Sequence, residues 1–191
     1  MSIATPLFEG KLVRLGAIDH EKDPAIVSRW THDSRFMRMM YTEPMSPQAP
    51  WQVKKSLESL EKKIDEEHNL FHFRIRLQTD ERLLGFAELF RISWPNATGM
   101  IRLGIGDPAD WRKGYGREAM RLVLQYALSE LNLHRLTAMI PEYNQPALAL
   151  FHSFGFVDEV RRRQALNRDG RTWDLFHLGL LAAEYKEDDH E

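Results

Sequence analysis

A chain of 191 residues, 43% hydrophobic with a mean hydropathy of −0.47, is long enough to bury one sizeable core and polar enough to stay in water. Its formal net charge of −2 argues against a nucleic-acid partner recruited by bulk charge, while leaving room for a local basic pocket. The absence of cysteine excludes a disulfide frame, a thiolate metal site and a cysteine nucleophile, and it fits a reducing cytoplasm.

The opening residues MSIATPLFEGK lack the charged region and apolar stretch of a signal peptide. No apolar run approaches the roughly 20 residues of a membrane span, so a cytoplasmic protein without a membrane partner is expected. GKLVRLGAI (10–18) alternates as a first strand, and residues 19–30 shift to helical spacing. SRFMRMMYTEPMSPQAP (34–50), interrupted by Pro44, Pro47 and Pro50, reads as a loop or broken helix. Its methionines and Tyr41 are either adaptable core filler or one wall of an acceptor pocket.

Residues 51–67 form an amphipathic helix with Val53, Leu57, Leu60 and Ile64 on one side. FHFRIRL (71–77) and LLGFAELF (83–90) alternate as an antiparallel hairpin, and period two places Leu84, Phe86, Glu88 and Phe90 on one face. MIRLGIG (100–106), a strong helical stripe over 117–131 and a strand over 136–140 make a strand–helix–strand unit with parallel neighbours. Asn144 is placed to cap a short helix with Pro146 in its first turn and Gly155 past its end. A last hairpin is expected over 156–166 and 171–180, followed by a charged tail. One domain over 1–182 with a flexible tail, 183–191, is the resulting organisation. In the last hairpin, alternation separates Arg162 from Arg161 and Arg163. These arginines either protect a sheet edge or meet an acidic acceptor or the adenosine phosphate. His72, His134 and His177 lack the spacing of a metal site, so no metal is expected.

GDPADWRKGYGREAM (106–120) sets glycines and basic residues before a helix start, where backbone N–H groups attract an anion. A Walker A loop fails for want of a Ser or Thr after the lysine. A dinucleotide fingerprint through Gly104, Gly106 and Ala109 would put Gly114 and Gly116 inside the first helical turns. The third scheme, Q/R-x-x-G-x-G/A running into a helix, fits WRKGYG (111–116).

That loop, joined to N-x-x-A-x-x-L-F-x-x-x-G-F from Asn144 to Phe156, resembles the GNAT N-acetyltransferase superfamily, closest to its ribosomal-protein and polyamine branch. The resemblance covers most of the chain. It implies an α/β fold, with a mixed, mostly antiparallel sheet flanked by helices and a parallel strand pair around the coenzyme site. It implies acetyl-CoA as acyl donor, an amine acceptor and a capacity for homodimers. By the same resemblance, Trp111, Arg112, Lys113, Gly114, Tyr115, Gly116 and Arg117 would hold the pyrophosphate. Backbone groups of Gly104, Ile105 and Gly106 would pair with the pantetheine arm, and Asn144 would contact the coenzyme near Phe151. Two departures stand out: Trp111 replaces Gln or Arg, and Phe151 replaces the Tyr that often protonates the leaving thiolate. Glu88 is the expected base, with a pKa raised by apolar neighbours; the alternative pairs it with Arg74, Arg91 or Arg102. The implied reaction is direct attack of a peptide or protein N-terminus, polyamine or other primary amine on the thioester. A catalytically weak acyl-CoA sensor and a dinucleotide-binding oxidoreductase stay open as alternatives.

Overall fold

The computed structural model describes residues 6–185, so most of the expected tail lies outside the described residues. The first alternating run yields only β1 (Val13–Gly16). It is shorter than expected because the N–H groups of Lys11, Leu12 and Val13 donate instead to the Glu118 carboxylate, at 2.9, 2.7 and 2.7 Å. Three helices follow: α1 (Asp23–Thr31), α2 (Ser34–Met40) and α3 (Pro50–Glu67). The methionine-rich segment is helical only in its first half. Asp33 caps that half by accepting from the N–H groups of Arg35 and Phe36, and the prolines keep residues 41–49 irregular.

β2 (Phe71–Leu77) and β3 (Leu83–Ser93) form the expected hairpin, and β4 (Thr98–Ile105) continues it antiparallel. Then come α4 (Tyr115–Gln125), β5 (Arg135–Pro141), α5 (Gln145–Ser153), β6 (Val157–Arg168) and β7 (Arg171–Leu181). Past Gln125, α4 widens into one π turn over Tyr126–Glu130, closed by Leu131 N–H to Tyr126 O at 3.1 Å. The last hairpin turns tightly on Asp169 and Gly170, both left-handed at φ 54° and 69°.

The seven strands run in the order β1-β2-β3-β4-β5-β7-β6, and among them only β4 and β5 are parallel. This is the mixed, mostly antiparallel sheet expected from the sequence. Alternation divides the core between its two faces. Ala87, Leu89 and Ile101 meet the fully buried stripe of α4, Ala119, Met120, Leu122, Val123 and Leu124. Leu83 and Phe86 join Trp30, Phe36 and Met37 of α1 and α2 in a second, smaller cluster.

Glu118 ties β1 to α4 through three charge-assisted hydrogen bonds. Glu118→Ala is expected to cost about 3 kcal/mol in urea unfolding and to accelerate amide exchange at residues 11–13. Unchanged exchange there would show that the latch carries no load.

Candidate active site

β4 and β5 pair only at Thr98 with Arg135, Gly99 with Leu136, and Met100 with Thr137. Beyond these positions β4 stays on β3 as far as Ile105, and β5 stays on β7 as far as Pro141. The two strands part, and a split opens in the middle of the sheet. Backbone groups alternate in direction along a strand. Gly106 N–H donates to Leu84 O (2.8 Å), whereas Ala97 O accepts from His134 N–H across the parallel pair (2.8 Å). Even-numbered residues therefore turn their backbone groups to β3 and odd-numbered residues turn theirs to the split. The expected trio Gly104, Ile105 and Gly106 is corrected by this parity: Leu103 and Ile105 face the split, while Gly104 and Gly106 serve β3. The Ile105 carbonyl is itself taken by Trp111 Nε1 at 2.8 Å.

The loop after β4 is held from below by Asp110, which is buried. Arg82 forks onto its two oxygens (2.5 and 3.0 Å), and Lys113 Nζ lies at 3.2 Å. Arg112 and Gly114 both adopt left-handed backbone, at φ 60° and 87°. This bend delivers the chain into α4, where Glu118 N–H to Gly114 O (3.0 Å) is the first helical bond. The N–H groups of Tyr115 and Gly116 precede it, at the positive end of the helix dipole.

A cleft of about 350 Å³ runs along this loop. Gly104, Ile105, Trp111, Arg112, Gly114, Gly116, Arg117, Asn144 and Phe151 line it. Three expected residues do not. Gly106 lies under Trp30, where a Cβ would come within 2.0 Å of the ring; Lys113 rests on Asp110; Tyr115 packs against the core. The cleft suits a pantetheine arm and its pyrophosphate, because it offers a strand edge at Leu103 and Ile105 and a helix N-terminus at Tyr115 and Gly116.

A second cavity, of about 260 Å³, follows the split itself between residues 100–103 and 138–141. Both cavities are lined by Met39, Met40, Leu103, Asn144, Ala147 and Phe151, which therefore mark their junction. α2 roofs this junction and is pinned to the C-terminal half of the chain. Asn144 Nδ2 donates to Met39 O (3.1 Å), Tyr143 Oη to Arg38 O (2.9 Å), and Arg38 pairs with Asp169 (2.8 Å). Asn144 Oδ1 accepts from Ala147 N–H at 3.2 Å, so one side chain both caps α5 and tethers α2. Met40 sits on the bare face of Gly104, whose Cβ would lie 2.3 Å from its sulfur. Phe151, edge-on to Phe156 at 4.9 Å, is a hydrocarbon wall with no proton to give.

Glu88 is buried at the centre of a cross-strand row, with His72 opposite it on β2 and Arg102 opposite it on β4. His72 Nδ1–H donates to Oε1 (2.9 Å), and Arg102 donates to Oε2 through Nε (3.0 Å) and a terminal nitrogen. Arg102 is in turn held over the rings of Tyr41 (5.1 Å) and Phe90 (5.3 Å). Burial alone pushes the Glu88 carboxyl up, but the His72 hydrogen bond and the Arg102 guanidinium outweigh it and hold the group at about 2. The expected rise toward neutrality is thus corrected. Burial pushes the His72 imidazole down, leaving it neutral at pH 7.

The model of the acetyltransferase (GNAT) domain matches residues 13–157, three quarters of the chain. The chain belongs to this family. Acetyl-CoA is the acyl donor of such N-acetyltransferase domains. Among curated relatives, the chain is 36% identical to a probable N-acetyltransferase, YjcK, of Bacillus subtilis over 65% of its own length and 66% of the relative's. It is 28% identical to an uncharacterized N-acetyltransferase, p20, of Bacillus licheniformis over 59% and 63%. The matched segments thus span about two thirds of these relatives. The fold is shared with the spermidine N-acetyltransferase of Vibrio cholerae, solved with CoA and spermine, at a TM-score of 0.77. That match has 22% identity and covers 92% of this chain and 99% of that one.

The GNAT motif does not point to Leu103, whose role comes from strand parity, nor to Asp110 and Arg82, whose pairing closes over 28 positions. Glu88 has a folded pKa below its ordinary 4.5, so its stabilisation is complete above about pH 5 and is lost as pH falls toward 2. The difference corresponds to ~3 kcal/mol. Glu88→Gln is expected to lose about that much at pH 7 and to show a flatter acid limb between pH 5 and 2 in urea unfolding. Wild-type stability at pH 7 would contradict the assignment.

Proposed function

We propose that this GNAT chain transfers the acetyl group of acetyl-CoA directly to a primary amine. The observation that carries this reading is the junction of the two cavities at Leu103. Its N–H faces the split, between the coenzyme cleft on one side and open space for an acceptor on the other. Bound there, the coenzyme supplies an electrophilic thioester carbonyl and a thiolate leaving group. Leu103 N–H is placed to hold the carbonyl oxygen as it gains charge. The N–H groups at the start of α4, with Arg112 and Arg117 lining the cleft, hold the phosphates. Asn144 and Met40 close over the arm and exclude water. The amine nitrogen forms its bond to the carbonyl carbon and the carbon–sulfur bond breaks, a direct attack suited to a chain with no cysteine to carry an acyl group. We place this activity in one domain over 1–182, in a cytoplasmic setting suited to a cysteine-free chain.

A primary amine has a pKa of about 10, so only about one molecule in a thousand is neutral at pH 7, a handicap of roughly 4 kcal/mol. A carboxylate held at about 2 takes up no proton near neutrality, so Glu88 acts by fixing Arg102 and His72. The amine accordingly enters as its neutral form and, once bonded to the carbonyl carbon, gives one of its two protons to solvent and keeps the other as the amide N–H. Phe151 likewise leaves protonation of the thiolate to solvent, which a thiol pKa near 8.5 tolerates. A coenzyme-binding sensor is the second reading, favoured by Phe151. Tight acetyl-CoA binding with no thiol release across an amine panel would select it.

Two outcomes follow from the catalytic reading. kcat/KM rises about tenfold per pH unit up to the acceptor's own pKa, and a break between pH 6 and 7 would instead reveal a base in the protein. Gly116 has room for a side chain, since a Cβ there would meet only Ile105 Cγ1 at 3.8 Å. Gly116→Asp, at a helix start that favours a carboxylate, is expected to leave stability unchanged and to weaken acetyl-CoA binding by about a hundredfold through repulsion of the pyrophosphate. Calorimetry and thermal unfolding together check both halves.

A further inference from the structure

A third cavity, of about 290 Å³, lies beyond Tyr41, between α1–α3 and the face of β2 and β3 that carries Glu88. Its walls are mostly apolar, and its floor carries His72, Arg74 and Glu88. Glu88 is already engaged by His72 and Arg102. Arg74 is 2% exposed; it is ion-paired with Asp23, which it shares with Arg76, and feels the more distant Glu88. Both oxygens of Asp23 accept from Arg76 at 3.0 Å. Arg74 Nε lies 3.1 Å from Asp23 without hydrogen-bond alignment, and Arg74 Nη2 has no partner among the described residues. His72 Nε2, an acceptor because Nδ1 holds the proton, has none either.

Within this floor Arg74 is the least answered charge: Asp23 gives both oxygens to Arg76 and Glu88 is taken by His72 and Arg102, in a place where an unpaired ion is costly. Val27, Trp30, Met45, Val53, Leu57 and Leu60 bring no charge from the helices and the loop. A polycation entering here would meet repulsion. A carboxylate would complete the Arg74 fork.

We propose that this cavity is the outer part of the acceptor pocket, and that Arg74 receives a carboxylate borne by the amine substrate. The inference rests on the acetyl-transfer reading above. Register gives the span: Arg74 pairs with Phe86, and Phe86 pairs with Gly104 at the coenzyme cleft. Two strand spacings make about 10 Å. That distance suits an amine and a carboxylate separated by several bonds, as in an acidic peptide or an amino acid acetylated on its side chain. Tyr41 lines both this cavity and the split, and is the partition such a substrate would pass.

The test compares primary amines in matched carboxylate and carboxamide pairs, with spermidine as the polycation, in a thiol-release assay. The carboxylate member is expected to have at least a tenfold higher kcat/KM, expressed mainly in KM. Arg74→Gln is expected to bring the ratio to about one, and Arg74→Lys to keep part of it. Glutarate, a carboxylate without an amine, should inhibit competitively against the amine and not against acetyl-CoA. Equal use of both members in the wild type, a preference for spermidine, or non-competitive glutarate would each overturn the assignment, whether or not the variants fold. Should no amine turn over, the transfer reading fails by itself. Calorimetry of the same pairs on coenzyme-loaded protein then decides Arg74: carboxylate-selective binding supports it and indifference overturns it.

Discussion

Neither β4 nor β5 can lie beside the other along its whole length, and from that constraint the site follows. β5 is drawn to β7 through Pro141, β4 stays on β3 through Ile105, and three residue pairs join the two strands before they diverge. A parted pair leaves N–H and C=O groups without strand partners inside the molecule, a costly state unless something else meets them. The protein meets one of its own, since Trp111 reaches back to the Ile105 carbonyl. The groups of Leu103 remain turned to the split, the free strand edge on which the proposed docking of the coenzyme arm rests. Trp111, an oddity beside the usual Gln or Arg of the loop, thus has a physical role that does not involve the ligand's charge.

The loop and the roof are positioned by polar contacts far apart in sequence. Asp110 fixes the loop to the β2–β3 hairpin through Arg82, and Asn144 fixes α2 to α5. Both are short side chains that are hydrogen-bonded at each polar atom, which lets a polar group specify geometry without weakening the fold. The Arg102–Glu88–His72 row follows the same logic across three strands. Strand register alone places the three side chains side by side, and the paired charges keep the carboxyl ionised despite its burial.

What the sequence revealed follows the range of the physics involved. Alternation set Phe86, Glu88 and Phe90 on one face and helical spacing marked the buried stripe of α4, because both periods are local; Leu84, expected with them, turns instead to the core of Ala87 and Leu89, because the strand pairing slips by one residue opposite Ile75 and Arg76. The Asn144 cap and the Asp169–Gly170 turn were legible for the same reason. Nine of the twelve residues expected to meet the coenzyme line one cleft. The backbone direction at Gly104 and Gly106 was not legible, because residue type does not tell which way a backbone carbonyl points; that needs the register of the neighbouring strand. Glu88 was misjudged because apolar neighbours along its own strand are local, whereas His72 and Arg102 lie 16 and 14 positions away.

The two halves of the site consequently answer to different rules. The cleft proposed for the donor is built mainly from backbone: strand edge, left-handed loop and helix start constrain residue type at few places, as at Gly104 under Met40 and at left-handed Gly114. The proposed acceptor side, by contrast, is built from side chains on α1–α3 and on β2 and β3, where a single exchange such as Arg74 for a neutral residue removes a buried charge. On the proposed reading, backbone recognition of the donor would leave those side chains free to change with the acceptor without disturbing the place where the thioester is held.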